Sequence, residues 1–395
     1  MIQNTILVLD ANQRSSLAVV RSLGKHGELR LYSADSTEQS LAGCSKYCSE
    51  YIQHPSAHSD PESFIEWLAA FTKSRGVSLL IPCTEITSRL ILMHRDQFND
   101  CRVPFADMSV VMRLADKYRL LELASELGVN CPETYYYGTA SGLPGTVSFR
   151  YPMIVKPALS NLWTGERWLA GKVHAVHGRD ELENVLANDV YLKQHPFILQ
   201  EYIPGTGAGV FALYRHGQAV AYFAHRRIRE KPPWGGVSVL SESVAPDPVM
   251  QQDAEKLLGA VNWHGAAMVE YRVTPEGIPF LMEINTRFWG SLQLAVDSGV
   301  DFPYLLYQVC SGLEPAPVTT YKTGRRLRWL LGDLDNLYLT LKDRRRYSLA
   351  QKLKSVVNFV TPHPFRTRHE VDRMEDLRPA WHECKHYLKQ VLGKD

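Results

Sequence analysis

No stretch of the 395-residue chain reaches the roughly 18 consecutive apolar residues of a membrane-spanning helix, so the sequence does not read as a helical membrane protein. Cysteine is sparse. There are seven, an odd number without CxxC spacing, which argues against a disulfide framework and for reduced thiols in a cytoplasmic protein. Cys44 and Cys48 lie four apart, but no His or further Cys stands near them at ligand spacing, so no zinc site is expected there. The N-terminal stretch from Met1 to Asp10 lacks the basic region and cleavage site of a signal peptide and reads as a first β-strand. The turn after that strand has no GxGxxG, so a tight dinucleotide site is not supported at that position. Internal repeats and low-complexity segments are also missing. Net charge is nearly absent at +2, yet it is unevenly spread. From Lys322 onward 17 Lys and Arg face 9 Asp and Glu, so the preceding residues carry a net negative charge. Such a tail reads either as a solvated helical face or as a surface for an acidic partner, nucleic acid or an anionic membrane.

Against these absences stands one dense segment, Ala267 to Gly290. Two strand-like runs flank Glu276-Gly277, a dipeptide suited to reversing a chain. If those two residues form the turn, Glu270 faces Glu283 across the hairpin. Opposed side chains in an antiparallel pair stand about 4.5–5.5 Å apart at Cβ, where like charges normally destabilise. Asn285 lies two residues past Glu283 and shares its face. Two carboxylates and an amide oxygen on one patch suit a hard cation, and Mg²⁺ with nucleotide phosphates as further ligands fits best, with Mn²⁺ as an alternative. A solvated edge with a chance Glu pair is the bland reading. The apolar Met268, Val269, Leu281, Met282 and Ile284 around it argue against that.

Along the chain, strands and helices alternate from Thr5 to about residue 108, which implies a parallel sheet of the α/β class. The segments Asp10-Ala-Asn-Gln and Pro82-Cys-Thr-Glu85 would lie at the carboxyl edge of its strands, where such sheets bind ligands. A helix from Ala115 ends at Gly128. A Gly/Pro-rich link at 138–145 then leads to the strand Met153-Ile-Val-Lys156-Pro. Phe197-Ile-Leu-Gln-Glu201-Tyr-Ile-Pro-Gly205 reads as a strand running into a turn. Three regions are expected: an N-terminal domain over 1–108, a second domain over 109–318, and a basic, mainly helical region over 319–395. The second domain would divide into a lid at about 150–205 and a metal-binding core at about 206–318.

The order of these motifs resembles the ATP-grasp superfamily over roughly residues 5–315. It runs from Lys117 at a helix start, through Val-Lys156-Pro and Leu-Gln-Glu201-Tyr202-Ile203-Pro-Gly, to Met-Val-Glu270 and Met-Glu283-Ile-Asn285-Thr-Arg287-Phe. Within that superfamily the chain is most similar to a carbamoyl-phosphate-synthetase-like branch of predicted carboxylate–amine ligases, through His225-Arg-Arg-Ile-Arg229-Glu230, Gly235-Gly236 and Phe288-Trp-Gly-Ser291. The resemblance implies a Rossmann-like N-terminal domain followed by ATP-grasp lid and core domains. It also implies an ATP- and Mg-dependent ligase that converts a carboxylate to an acyl phosphate and joins it to an amine, releasing ADP and phosphate. Glu270, Glu283 and Asn285 would hold the metal. Lys117 and Lys156 would contact phosphates, and Glu201 would accept from the adenine amino group while Tyr202 and Ile203 supply backbone to the base edge. Arg287 would bind the acyl phosphate, and Arg229 the γ-phosphate from a mobile basic loop.

The chain departs from the family pattern in two places. The stretch from Ala158 to Trp168 has a single Gly and two Trp where family members carry a Gly-rich phosphate loop. Thr206-Gly-Ala-Gly209 stands where an acidic residue often holds the ribose, so ribose binding and the preference for ATP over GTP are unassigned. The partners implied are small-molecule carboxylate and amine substrates, and homo-oligomerisation is left open. Two other readings compete: a bicarbonate- or thiol-using ligase of the same fold, or a nucleotide-binding module that docks through its basic tail, whose aromatics include Trp329, Tyr338, Tyr347, Phe359 and Phe365.

Overall fold

The alternation of the first hundred residues builds the sheet it predicts. The computed structural model describes residues 4–142, 150–361 and 366–393. Part of the 138–145 link and Phe365 therefore lie outside the described residues. Strands β1 (Asn4–Val8), β2 (Leu29–Asp35), β3 (Glu50–Gln53) and β4 (Leu79–Ile81) pair in parallel in the order β3-β2-β1-β4. Helices α1 (Arg14–Leu23), α2 (Pro61–Ser74) and α3 (Glu85–Met93) connect or follow them. Ile6, Leu7 and Val8 are fully buried, as expected for a central strand covered on both faces. Helix α2 starts where Asp60 accepts from the Ser63 amide and Pro61 occupies the first turn. Asp10 and Cys83-Thr84 meet at the carboxyl edge. The Asp10 carboxylate accepts from the Cys83 and Thr84 amides, both at 2.8 Å, and so ties the exit of β1 to the start of α3.

Helices α4 (Met108–Ala115) and α5 (Lys117–Glu126) lead into a second, antiparallel sheet. It orders β5 (Thr134–Tyr137), β10 (Phe197–Glu201), β6 (Met153–Pro157) and β9 (His174–Val176) as β5-β10-β6-β9. Its other elements are the short hairpin of β7 (Asn161–Trp163) and β8 (Trp168–Ala170), and helices α6 (Arg179–Asn188) and α7 (Val190–Gln194).

The third sheet is the largest. Its chain-order elements are β11 (Thr206–Arg215), β12 (Gln218–Lys231), β13 (Val237–Val244), α8 (Pro248–Ala260), β14 (Gly265–Val273), β15 (Pro279–Asn285), α9 (Leu292–Ser298) and α10 (Phe302–Cys310). Beyond residue 319 come β16 (Arg326–Arg328), α11 (Leu330–Lys342), α12 (Leu349–Val360), β17 (Thr367–His369) and α13 (Arg378–Val391). The strand order is β15-β14-β11-β12-β13-β16-β17. The C-terminal region is thus helical as expected, but it also extends the central sheet by two three-residue strands. One apolar core joins the N-terminal sheet to this one, from Val8 and Leu17 through Phe211, Phe223 and Trp289 to Leu327 and Val371.

Part of the tail's charge is paired within the protein, whereas Lys342, Arg344, Arg345, Arg346 and Lys354 are exposed. Arg326 pairs with Glu242, Arg373 with Asp297, and Arg328 with Asp333. In the other direction Arg21 donates to Asp376 at 2.8 Å with both side chains buried, and Arg14 pairs with Glu370. Among the described residues no helix is long and apolar enough to cross a membrane.

Candidate active site

The hairpin β14–β15 pairs Glu270 with Glu283 and Met268 with Asn285, the register expected from sequence. It reaches that register by another route. The reversal is a loop from Thr274 to Ile278, with the Thr274 amide donating to the Ile278 carbonyl at 3.0 Å and Gly277 at φ +85°. Val273 faces Pro279 and Tyr271 faces Leu281, one step out of the predicted pairing. A bulge between Glu270 and Tyr271 then shifts the ladder by one residue and brings the two carboxylates opposite each other.

Protein cations balance the pair of carboxylates. Lys117 Nζ lies 3.3 Å from Glu283 Oε2, and Arg227 Nη2 donates to Glu270 Oε1. Asn285 Nδ2 lies 3.3 Å from both Glu270 Oε2 and Glu283 Oε1, so the two carboxylates converge on one electropositive point. Burial and Glu283 push the Glu270 carboxyl above its ordinary range, with Arg227 opposing them. Burial would raise Glu283 too, but Lys117 and Lys156 hold it down, to about 2. Among the described residues no three His, Cys, Asp or Glu side chains cluster as a metal site. Two converging carboxylates plus an amide are nevertheless the hard-oxygen donor set that suits Mg²⁺, once the Asn285 amide turns its oxygen inward.

A cavity of about 400 Å³ opens beside this cluster. Lys117, Lys156, Ser160 and Glu283 line one part, and Glu201, Tyr202 and Ile203 another. Each lysine is placed by its element. Asp116 caps α5 by accepting from the Tyr118 and Arg119 amides, which sets Lys117 at the first helical position. Its backbone amide donates to the Ala158 carbonyl at 3.0 Å and its Nζ to Ser160 Oγ at 3.0 Å. Lys156 is buried in β6, opposite Ile198 of β10. Burial and the neighbouring Lys117 bring its amine down to about 8. The Glu201 side chain is exposed and accepts from the Glu133 amide at 3.3 Å, and the Ile203 carbonyl accepts from Arg272 Nε at 3.1 Å. Arg272 and Met282, which the sequence reading did not assign to the site, also line this cavity.

Arg287 joins the cluster, with Nη2 3.3 Å from Asn285 Oδ1. It also lines a small cleft with Glu85, at the carboxyl edge of the N-terminal sheet where a ligand is expected. The structure does not bring Arg229 to the hairpin. Its Nε and Nη2 each lie 2.6 Å from the Asp333 carboxylate of α11, and it is Arg227 that contacts Glu270. The cause is local. Arg227 pairs with Ser241 but Arg229 with Leu240, so Ile228 bulges and the two arginines leave the strand in different directions. Arg227 reaches Glu270 across β11 at Gly207, where an added Cβ would stand 3.3 Å from its Nη1. Gly207, in the stretch where family members often carry an acidic residue, thus lies against a guanidinium.

The Trp-containing stretch that departs from the family pattern is the β7–β8 hairpin, and it docks on the N-terminal domain. Trp168 is buried against that domain's core, with the Arg89 guanidinium 5.1 Å from its ring. Arg89 donates to the Asn161 carbonyl, and Asn161 Nδ2 to Glu85 at 2.9 Å. Ser160, next to this hairpin, contacts Lys117. Trp168, with Trp163 packed beside it, thus anchors this stretch where glycines would have left it free.

The geometry thus sets a lysine pair over a cavity, beside an acidic hairpin and the two arginines Arg227 and Arg287. Residues 193–332 match the family described as "ATP-grasp in the biosynthetic pathway with Ter operon". Among solved structures, the fold is similar to an L-amino acid ligase from Bacillus licheniformis, with 14% identity, TM-score 0.60, and 79% of this chain and 75% of that one covered. It is also similar to a biotin carboxylase from Campylobacter jejuni, with 17% identity, TM-score 0.64, and coverage of 82% and 74%. A third is an N5-carboxyaminoimidazole synthetase from Staphylococcus aureus, with 12% identity, TM-score 0.60, and coverage of 82% and 80%. No curated protein matches the sequence. Residues 193–332 thus match an ATP-grasp family model, and the fold is similar to that of these enzymes.

Proposed function

We propose that this protein is an ATP- and Mg²⁺-dependent carboxylate–amine ligase of the carbamoyl-phosphate-synthetase-like branch. One observation carries the reading: Lys117, Lys156, Glu270, Glu283, Asn285, Arg227 and Arg287 converge beside a cavity whose other part is lined by Glu201, Tyr202 and Ile203. In this reading adenine lies against Glu201–Ile203 and the phosphates run toward the lysines. Glu270, Glu283 and Asn285 hold Mg²⁺, for which Mn²⁺ can substitute, and the metal supplies neutralisation of phosphate charge. A carboxylate oxygen of the acid forms a bond to the γ-phosphorus as the bond to ADP breaks. The amine nitrogen then attacks the acyl carbon, loses a proton and expels phosphate. Arg287 binds the anionic centre from the side of Asn285, and Arg227, placed beside Glu270, serves the transferring phosphoryl group. The docked β7–β8 hairpin excludes water that would hydrolyse the acyl phosphate. Seven free cysteines support a cytoplasmic setting.

The test is ³¹P NMR of ATP turnover with Mg²⁺ across pools of carboxylic acids and amines, run beside Glu283→Gln. ADP and phosphate formed only with an acid present, and lost in the variant, support ligation through an acyl phosphate. AMP and pyrophosphate would replace this reading with adenylation.

A further inference from the structure

Helix α12 has no buried residue, although half of its length is apolar. Leu349, Leu353, Val357 and Val360 recur at helical spacing and are 84%, 65%, 50% and 63% exposed. The other side of the helix is what attaches it. The Phe359 ring lies under the Arg328 guanidinium at 4.3 Å, and its carbonyl accepts from Arg328 Nη2 at 2.9 Å. The apolar stripe therefore points outward by construction.

Positive charge surrounds it. Between Lys342 and Lys354 the chain has six Lys and Arg and one acid, Asp343, whose carboxylate accepts from the Arg345 and Arg346 amides. The other acids of the described tail are engaged within the molecule. Asp333 and Asp335 hold Arg229 and Lys231, Glu370 and Asp376 hold Arg14 and Arg21, Asp372 holds His369, Glu375 faces Arg373, and Glu383 accepts from Trp329. The basic segment thus has little complement inside the protein. Two exposed aromatics complete the patch. The Arg346 guanidinium lies 4.5 Å from the ring of Trp234, at the tip of the β12–β13 hairpin, and Lys342 Nζ lies 5.5 Å from that of Tyr338.

We propose that α12 and the Arg344–Arg346 loop form a docking surface for an anionic lipid bilayer, with the apolar stripe at the boundary of headgroups and acyl chains. Apolar residues along one helix face, basic residues beside them and aromatics at the margin match the requirements of interfacial binding. A nucleic acid would neutralise the arginines but leave four aliphatic side chains in water. A second copy of the chain would set two basic patches against each other without an acid between them.

Full-length protein is sedimented with vesicles of phosphatidylcholine alone and of phosphatidylcholine mixed with phosphatidylglycerol. The expected result is binding to the mixed vesicles only, weakening as salt rises. It should fall about tenfold in Leu353→Glu/Val357→Glu and in Arg344→Ala/Arg345→Ala/Arg346→Ala. Both variants change exposed side chains, so nucleotide binding and melting temperature should stay as in the parent. No sedimentation with mixed vesicles, or equal binding by parent and variants, overturns the proposal. A dimer that Leu353→Glu dissolves would assign the stripe to a second copy instead.

Discussion

The β14–β15 hairpin and the C-terminal tail both join carboxylates to cations, yet they use the same chemistry to opposite ends. Asp333 is 1% exposed, and its two oxygens are taken by Arg229 and Arg328, so nothing of its coordination is left for a ligand. Glu283 keeps contacts to Lys117 and Asn285 but borders an open cavity, and its neighbour Glu270 is pushed toward its neutral form. A closed set of charges fastens elements together, whereas an incompletely satisfied one is ready to receive a charged ligand. The tail fastens: through Asp333, Asp335 and Asn336 helix α11 grips the end of β12 just past Arg227.

The sharpest way to break this comparison is to remove one carboxylate from each side. Glu283→Gln should cut turnover by about a thousandfold while the melting temperature changes little, as steady-state kinetics and thermal melts would show. Asp333→Ala should do the reverse. It leaves two guanidinium groups without their partner, costing about 3 kcal/mol in denaturant melts. Next in size is the arginine pair. Arg227→Ala should lower kcat by about 100-fold with the fold retained, and Arg229→Ala should lower stability more than kcat. Equal effects of the two would dissolve the distinction drawn from the Ile228 bulge.

Two pH effects are smaller. Lys156 is charged only below about 8, so nucleotide affinity should decline as pH rises through 8. Binding near pH 9 should take up a proton, which calorimetry in buffers of different ionisation enthalpy would detect, and Lys156→Met should abolish the uptake. In the tail, burial raises the Glu383 carboxyl to about 7, opposed by the hydrogen bond from Trp329. The folded state therefore holds a proton that the unfolded chain releases near 4.5, and this contribution to stability is lost as pH rises from 4.5 through 7. Glu383→Gln should flatten that part of the profile in melts across pH.

The same contrast explains how far the sequence could be read. Glu270 and Glu283 were legible because alternation and a turn dipeptide are local signals, although the register rests on a longer loop and a bulge that offset each other. Lys117 and Lys156 were legible from a helix start and an apolar strand. Arg227 was not, because its placement depends on a bulge at Ile228 that no local pattern announces. Strands β16 and β17 were hidden for a related reason. Each has three residues, and their ladders are set by partners far away in sequence. The docking of the β7–β8 hairpin was equally out of reach, since Trp168 gains its partners from the N-terminal domain.

The most direct test of acyl-phosphate chemistry at this site uses the acid found by the turnover screen, labelled with ¹⁸O in its carboxylate, and follows the isotope shift in ³¹P NMR. One ¹⁸O should pass from the acid to inorganic phosphate as ADP forms. Label appearing in AMP, or phosphate released without label, would contradict it.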